Sequence, residues 1–114
     1  GQIEGGFVQG LGWLTCEELY FSQEGKLLTT GPSTYKLPGS RDIPKVFNVK
    51  LLENADNEEK TIFRSKAVGE PPLLLAISHF LALKEAIKAS SDMSNPQLLK
   101  SPATPAEILR VLRS

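Results

Sequence analysis

The chain has 114 residues, of which 40% are hydrophobic and 23% charged, with 13 basic and 13 acidic side chains. This length suits one small domain with a modest core. The charges cancel and are scattered, so they exclude the basic patch by which proteins bind nucleic acid or an anionic membrane surface.

An amphipathic helix is predicted for residues 2–19, where Ile3, Phe7, Leu11 and Leu14 recur at helical spacing. Each interior glycine costs a helix about 1 kcal/mol relative to alanine. The glycines within it are Gly5, Gly6, Gly10 and Gly12. They indicate either close packing against other backbone or a partly irregular helix. No capping residue precedes this helix, so we interpret the start as a cut through a larger protein, with a recombinant piece or a processed small domain as the alternative.

Turns and short extended pieces are predicted for the next part of the chain. Residues 22–25 predict a turn and residues 26–30 a short extended piece. Residues 31–40 are rich in Gly, Pro and Ser, which predicts a loop that either only connects or carries function. Alternation at 46–51 predicts a half-buried strand, and residues 61–63 predict a second strand.

The longest apolar element, at residues 73–89, predicts a helix that is buried in something larger than the chain. The apolar run at 71–83 is too short to cross a bilayer, so we expect no membrane partner. His79 lies within this helix, and we interpret it as a buried or interfacial histidine rather than a catalytic one. Cys16 and His79 are the only residues of their types, so the chain cannot supply a zinc or iron–sulfur site by itself.

A polar segment at 90–102 precedes the last helix. Thr104 is a good N-cap, Pro105 suits the first helical position, and Glu107 completes a capping box.

The order of elements predicts an α+β class, with short strands and two or three helices. An acidic, polar loop is predicted at 54–60.

The tetrapeptide Gly69-Glu70-Pro71-Pro72 places one carboxylate at the start of the long apolar element. The two prolines suit a first helical turn, and they stiffen it. Glu70 is therefore either a catalytic base or a charge that the helix dipole favours. The helix dipole favours the ionised form of Glu70 and lowers its pKa, whereas burial disfavours that form and raises the pKa, so the sequence leaves the direction of the pKa shift open.

Four segments, in order, resemble the carboxy-terminal part of the molybdenum-binding subunit of the xanthine dehydrogenase/oxidase family. They are GQIEGGFVQGLG at 1–12, GPSTYKLP at 31–38, SKAVGEPPL at 65–73 and SPATP at 101–105. The resemblance implies that residues 1–114 are one part of a larger molybdenum cofactor-binding domain, without an internal boundary. Details at 33–36 and 67–68 are closer to xanthine dehydrogenases than to aldehyde oxidases, which remain the alternative. A non-catalytic interaction module, binding a partner through the apolar helix, is the alternative from another class.

The resemblance also implies roles for three residues. Glu70 matches a catalytic general base, which removes a proton from the oxygen nucleophile that attacks the purine ring. Gln2 matches an amide near the molybdenum centre, and Gly69 matches a residue whose backbone lies close to it. No side chain of this chain is expected to ligate the metal.

The implied parent protein oxidises hypoxanthine and xanthine to urate, with water as the oxygen source and NAD or oxygen as the electron acceptor. Molybdopterin would bind at this domain, whereas FAD and 2Fe-2S clusters would bind elsewhere in the parent. The implied partners are a purine or other heteroaromatic substrate, the rest of the polypeptide and a second subunit in a homodimer. The implied compartment is the cytoplasm, with the peroxisome as the alternative, and the isolated fragment is expected to be inactive.

Overall fold

The computed structural model of the protein describes residues 1–55, 57–90 and 95–114. Four α-helices lie in this part of the chain: α1 (Gln2–Thr15), α2 (Pro71–Leu75), α3 (Ile77–Ser90) and α4 (Pro105–Leu112). Single 3-10 turns occupy Ile62–Arg64 and Pro96–Leu98. The predicted loops at 54–60 and 90–102 each include residues that lie outside the described part.

Helix α1 is regular through all four of its glycines, so close packing is the correct explanation for three of them. A Cβ atom added at Gly10 would collide with the Leu73 carbonyl and lie 2.8 Å from the Ala76 Cβ. A Cβ at Gly6 would lie 3.1 Å from the Pro72 Cβ. The missing side chains therefore let α2 lie directly against the α1 backbone.

The first helix ends at Thr15, so the prediction of a helix to residue 19 is wrong at its C-terminus. The N–H groups of Cys16 and Glu17 both donate to the Gly12 carbonyl, at 3.0 and 2.9 Å. Glu17 then turns inward and is buried. The helix thus ends where the polar residue Glu17 becomes buried, a feature that the apolar spacing does not show.

The strands predicted at 46–51 and 61–63 are not formed, so the helices of the predicted α+β class are present among the described residues and its short strands are not. The only β pairing among them is a single bridge between Phe21 and Leu27. A strand needs a neighbour for its backbone hydrogen bonds, and no other described segment pairs with 46–51. Alternation of side chains alone cannot supply that neighbour.

The predicted turn at 22–25 is confirmed. Its ends are joined by hydrogen bonds from Gly25 N–H to the Ser22 carbonyl at 3.0 Å and from Ser22 N–H to the Lys26 carbonyl at 2.9 Å. The residues at 31–40 form turns and irregular backbone, as predicted.

The long apolar element is two helices rather than one. Helix α2 ends at Leu75, and Ala76 separates it from α3. Ala76 is fully buried because it packs at the Gly10 position of α1. None of the described helices is long and apolar enough to cross a membrane.

Helix α4 begins as predicted, but only half of the capping box is present. The Thr104 hydroxyl accepts a hydrogen bond from the Glu107 N–H at 3.2 Å. The Glu107 carboxylate does not return to Thr104; it accepts from the Lys100 N–H at 2.9 Å and pairs with Arg110. An ion pair with an arginine one turn away has displaced the second capping bond.

A small core joins α3 to α4. It consists of Ile87, Leu99, Ala103 and Val111, with Phe80, Leu83 and Ile108 packed against it. The Ala103 N–H donates to the Leu14 carbonyl at 2.7 Å, which ties the segment before α4 to the last turn of α1.

Much apolar surface stays outside this core. The side chains of Leu52 and Phe63 are 85% and 97% exposed. The radius of gyration is 18.0 Å, whereas a compact domain of this length has about 13 Å. Leu74, Leu75 and Leu81 are also more than half exposed, which agrees with the expectation that the 73–89 segment packs in a larger structure.

Candidate active site

A cavity of about 920 Å³ lies between the first two turns of α1 and the segment before α2. The α1 side is formed by Gly1, Gln2, Gly5, Gly6 and Gln9, and the other side by Lys66, Ala67, Val68 and Gly69. Gln2 and Gly69, which are distant in the chain, therefore line one space.

The packing of α2 on α1 creates this arrangement. Pro72 is buried against Gly6, and the Leu73 carbonyl lies against Gly10. Because only Glu70 separates Gly69 from α2, the contact of α2 with α1 holds residues 66–69 beside the α1 N-terminus. The glycines that cost helix stability thus shape the cavity.

Gly69 has a φ angle of +69°, a conformation that favours glycine. This turn sets Glu70 at the N-cap of α2, where its carbonyl accepts from the Leu74 N–H at 3.1 Å. The Glu70 side chain is exposed and makes no capping hydrogen bond. Helix α2 has only five residues, so little dipole faces the carboxylate. The arrangement leaves the Glu70 carboxylate free for another task, and its catalytic role stays a prediction.

Residues 1–44 match the model of the molybdopterin cofactor-binding domain. The chain is 54% identical to the xanthine dehydrogenase/oxidase of Mus musculus, in an alignment of 114 residues that covers 95% of the chain. It is 53% identical to that of Gallus gallus over 95% of the chain and 50% identical to the xanthine dehydrogenase of Dictyostelium discoideum over 91%.

The chain belongs to the xanthine dehydrogenase/oxidase family. It spans about 8% of the length of each of these relatives, so it represents a fragment of such a protein. This result confirms the resemblance seen in the sequence. The roles assigned to Gln2, Gly69 and Glu70 stay predictions, as does the interpretation of 1–114 as the carboxy-terminal part of a cofactor-binding domain without an internal boundary.

The cavity lining fits the molybdopterin group that this family's domain binds. Pterins carry donors and acceptors side by side on flat rings, and amide side chains such as those of Gln2 and Gln9 offer both. Gly5 adds bare backbone, and a Cβ there would meet nothing within 4 Å. None of the lining side chains is a carboxylate, thiol or imidazole. This wall could therefore hold the organic part of the cofactor by hydrogen bonds, without ligating the metal.

Gln9 and Lys66 were not predicted from the sequence, although they line the cavity. Residues seven apart share one helix face, so the spacing of Gln9 from Gln2 was a usable signal. Lys66 offered no such signal, because its position depends on how the irregular segment before α2 lies.

A second polar feature anchors the 31–38 segment to the end of α1. The Tyr35 hydroxyl donates to the buried Glu17 carboxylate at 2.6 Å, and this hydrogen bond raises the pKa of Tyr35. The Cys16 thiol points to the Lys36 carbonyl at 3.8 Å, and partial burial raises the pKa of that thiol. A raised pKa keeps Cys16 in its weakly nucleophilic thiol form.

His79 and Cys16 line a separate cavity of about 230 Å³, whose other walls are mostly apolar. The histidine is half-buried, in keeping with the predicted buried or interfacial role. Among the described residues, no group of three or more His, Cys, Asp or Glu side chains could hold a metal ion.

Proposed function

We propose that this chain forms one wall of the molybdenum cofactor site in a xanthine dehydrogenase/oxidase, and that Glu70 is the general base of that site. The observation that carries the proposal is the common cavity of Gln2 and Gly69. The matched domain family and the relatives support it.

Glu70 directly follows Gly69, and the prolines after it restrict the backbone that carries it. A general base must come within about 3 Å of the proton that it removes, so a stiff turn favours its function. Glu70 would accept the proton of the oxygen nucleophile on its carboxylate. Gln2 would donate its amide hydrogens to the cofactor, and Gly69 would allow close approach of the backbone. When bound, the molybdenum cofactor supplies the two-electron acceptor for the reaction.

The substrates of the parent protein are hypoxanthine and xanthine, which are oxidised to urate with water as the oxygen source. FAD and 2Fe-2S clusters, which other parts of the parent would bind, would carry the electrons to NAD or oxygen. The parent works as a homodimer in the cytoplasm, with the peroxisome as the alternative compartment. These statements rest on family membership and on the details at 33–36 and 67–68.

The juxtaposition of Gln2 and Gly69 favours catalysis over the alternative of an interaction module. A module that binds a partner through its apolar helix needs no polar cavity beside that helix. Helix α2 instead packs on α1, and Gly69, which directly precedes Glu70 in the chain, lines one cavity with Gln2.

The decisive experiment uses the full-length parent with Glu70→Gln, which keeps the size of the side chain and removes its basicity. We expect hypoxanthine oxidation to fall by at least about 100-fold, the low end of a general-base contribution, with molybdenum content unchanged. Glu24→Gln is a matched control, because Glu24 lies in the exposed turn at 22–25. Turnover of Glu70→Gln within a few-fold of wild type would contradict the role. Oxidation of aldehydes but not of hypoxanthine by the wild type would identify an aldehyde oxidase instead.

A further inference from the structure

We propose that Gln9 is a further cofactor-binding residue, and that the flat pterin rings lie along α1 between the amides of Gln2 and Gln9. This inference rests on the proposed function, because it concerns the same cavity. It extends the site from one amide to two, with Gly5 between them.

The two amides share a helix face and a cavity. Seven residues at 1.5 Å each place Gln9 roughly 10 Å from Gln2 along the axis of α1, two turns away. Both side chains are exposed and line the cavity. Within residues 1–55, 57–90 and 95–114, neither amide makes a hydrogen bond to another side chain or to the backbone. A fused pterin ring system is long enough to reach from one amide to the other.

Gly5 supports this placement because the fold of the chain does not explain it. A Cβ at Gly6, Gly10 or Gly12 would press against atoms of the described residues, whereas a Cβ at Gly5 would meet none within 4 Å. Gly5 also lines the cavity. An empty helix face between two unpaired amides allows a flat group to approach the backbone closely.

The hydrogen-bonding groups of the Gln2 and Gln9 amides match those of a pterin edge. An amide offers two N–H donors and a carbonyl acceptor, and a pterin edge alternates ring nitrogens, a carbonyl and an amino group. The amide of Gln9 can therefore pair with the ring edge that is remote from Gln2. A carboxylate at position 9 would keep the acceptor and lose both donors.

The test compares full-length wild-type parent with the variants Gln9→Leu and Gln9→Glu. Molybdenum is measured by mass spectrometry and pterin by fluorescence, before and after prolonged incubation in cofactor-free buffer. We expect both variants to lose cofactor about threefold to tenfold faster than wild type, which corresponds to one lost hydrogen bond. Gln23→Leu is the matched control, because Gln23 lies in the exposed turn at 22–25, and it should retain cofactor like wild type.

The melting temperature of cofactor-free parent separates cofactor binding from protein packing. We expect the Gln9 variants to melt with wild type when cofactor is absent. Equal retention of cofactor by wild type and both variants would overturn the inference. So would an equal loss of melting temperature in the loaded and the cofactor-free forms, since Gln9 would then contact protein. A wild-type parent that contains no molybdenum would contradict the proposed function instead.

Discussion

The Tyr35 hydroxyl lies 2.6 Å from the Glu17 carboxylate and donates a hydrogen bond to it. Glu17 is buried beside Gly12 and Pro38, at the point where α1 ends. The bond therefore joins the C-terminus of α1 to the segment at 31–38, one of the four segments that carry the family resemblance. In this structure the 31–38 segment is attached to the C-terminal end of α1, whereas the candidate active site lies at the N-terminal end.

Tyr35→Phe should loosen the 31–38 segment, because the Glu17 carboxylate would lose its hydroxyl partner while remaining buried. We expect protease cleavage within 31–38 of the native parent to become roughly tenfold faster, as expected for one lost charge-assisted hydrogen bond. The bond raises the pKa of Tyr35, so its contribution is present below the ordinary tyrosine pKa of about 10 and lost as pH rises further.

The matched control for this anchor is Tyr20→Phe. Tyr20 is exposed, and its hydroxyl makes no hydrogen bond within the described residues. Cleavage at 31–38 should stay at the wild-type rate in that variant. Equal cleavage rates in Tyr35→Phe and wild type would show that other contacts hold the segment.

Gly10→Ala tests the contact of α1 with α2. The added Cβ would collide with the Leu73 carbonyl and approach the Ala76 Cβ. Overpacking of this kind costs about 1–3 kcal/mol, which outweighs the helix propensity gained with alanine. We expect a lower melting temperature of the parent and weaker retention of molybdenum, because α2 positions Gly69 and Glu70.

Gly5→Ala is the matched control for helix propensity in the cofactor-free parent. Its Cβ would enter open space, so α1 should gain up to about 1 kcal/mol of stability. Opposite signs for the two alanine variants are the expected result. A melting temperature of Gly10→Ala at or above that of Gly5→Ala would contradict close packing at Gly10.

Thr104→Ala should destabilise α4 by about 1 kcal/mol, because the Glu107 N–H would lose its side-chain acceptor. Thr104→Ser should restore most of the lost free energy, since serine caps equally well. Thr30→Ala is a suitable control, as Thr30 lies in an irregular segment and outside any helix. Hydrogen exchange of the α4 amides in the parent would report the differences, and unchanged exchange in Thr104→Ala would refute the cap.

Acid should weaken the start of α4 through Glu107. The Arg110 side chain, at 2.7 Å, and the Lys100 N–H, at 2.9 Å, hold the pKa of Glu107 at about 2. Since the unfolded value is near 4.3, the carboxylate stabilises the folded form above about pH 4.3, and this contribution fades as pH falls towards 2.

The Glu107 titration can be followed by carbon NMR of the labelled carboxyl group in the 114-residue chain. The expected midpoint is about 2. Arg110→Met should move the midpoint up towards the ordinary glutamate value. A wild-type midpoint near the ordinary value would mean that the ion pair does not form in solution.

Short-range patterns were enough to predict α1 and the start of α4 from the sequence. The stripe of Ile3, Phe7 and Leu11 identified a helix, and Thr104 with Pro105 located another, because spacing and capping depend on residues only a few positions apart. The four motif segments also identified the family, and with it the candidate residues Gln2, Gly69 and Glu70.

Other features depended on contacts between distant segments. The alternation at 46–51 predicted a strand, but a strand forms only where a second segment pairs with it. Ala76, where the long apolar element breaks, packs against Gly10, and Glu17, just beyond the end of α1, bonds to Tyr35. No local pattern contains these partners.

The sequence by itself determined the presence of α1, the start of α4, the family and a carboxylate on a stiff turn at Glu70. Only the tertiary structure decided that Gln2, Gln9 and Gly69 share one cavity. The physical reason is that α2 packs on glycine backbone at Gly6 and Gly10, and this contact brings together segments that are more than 60 residues apart in the chain.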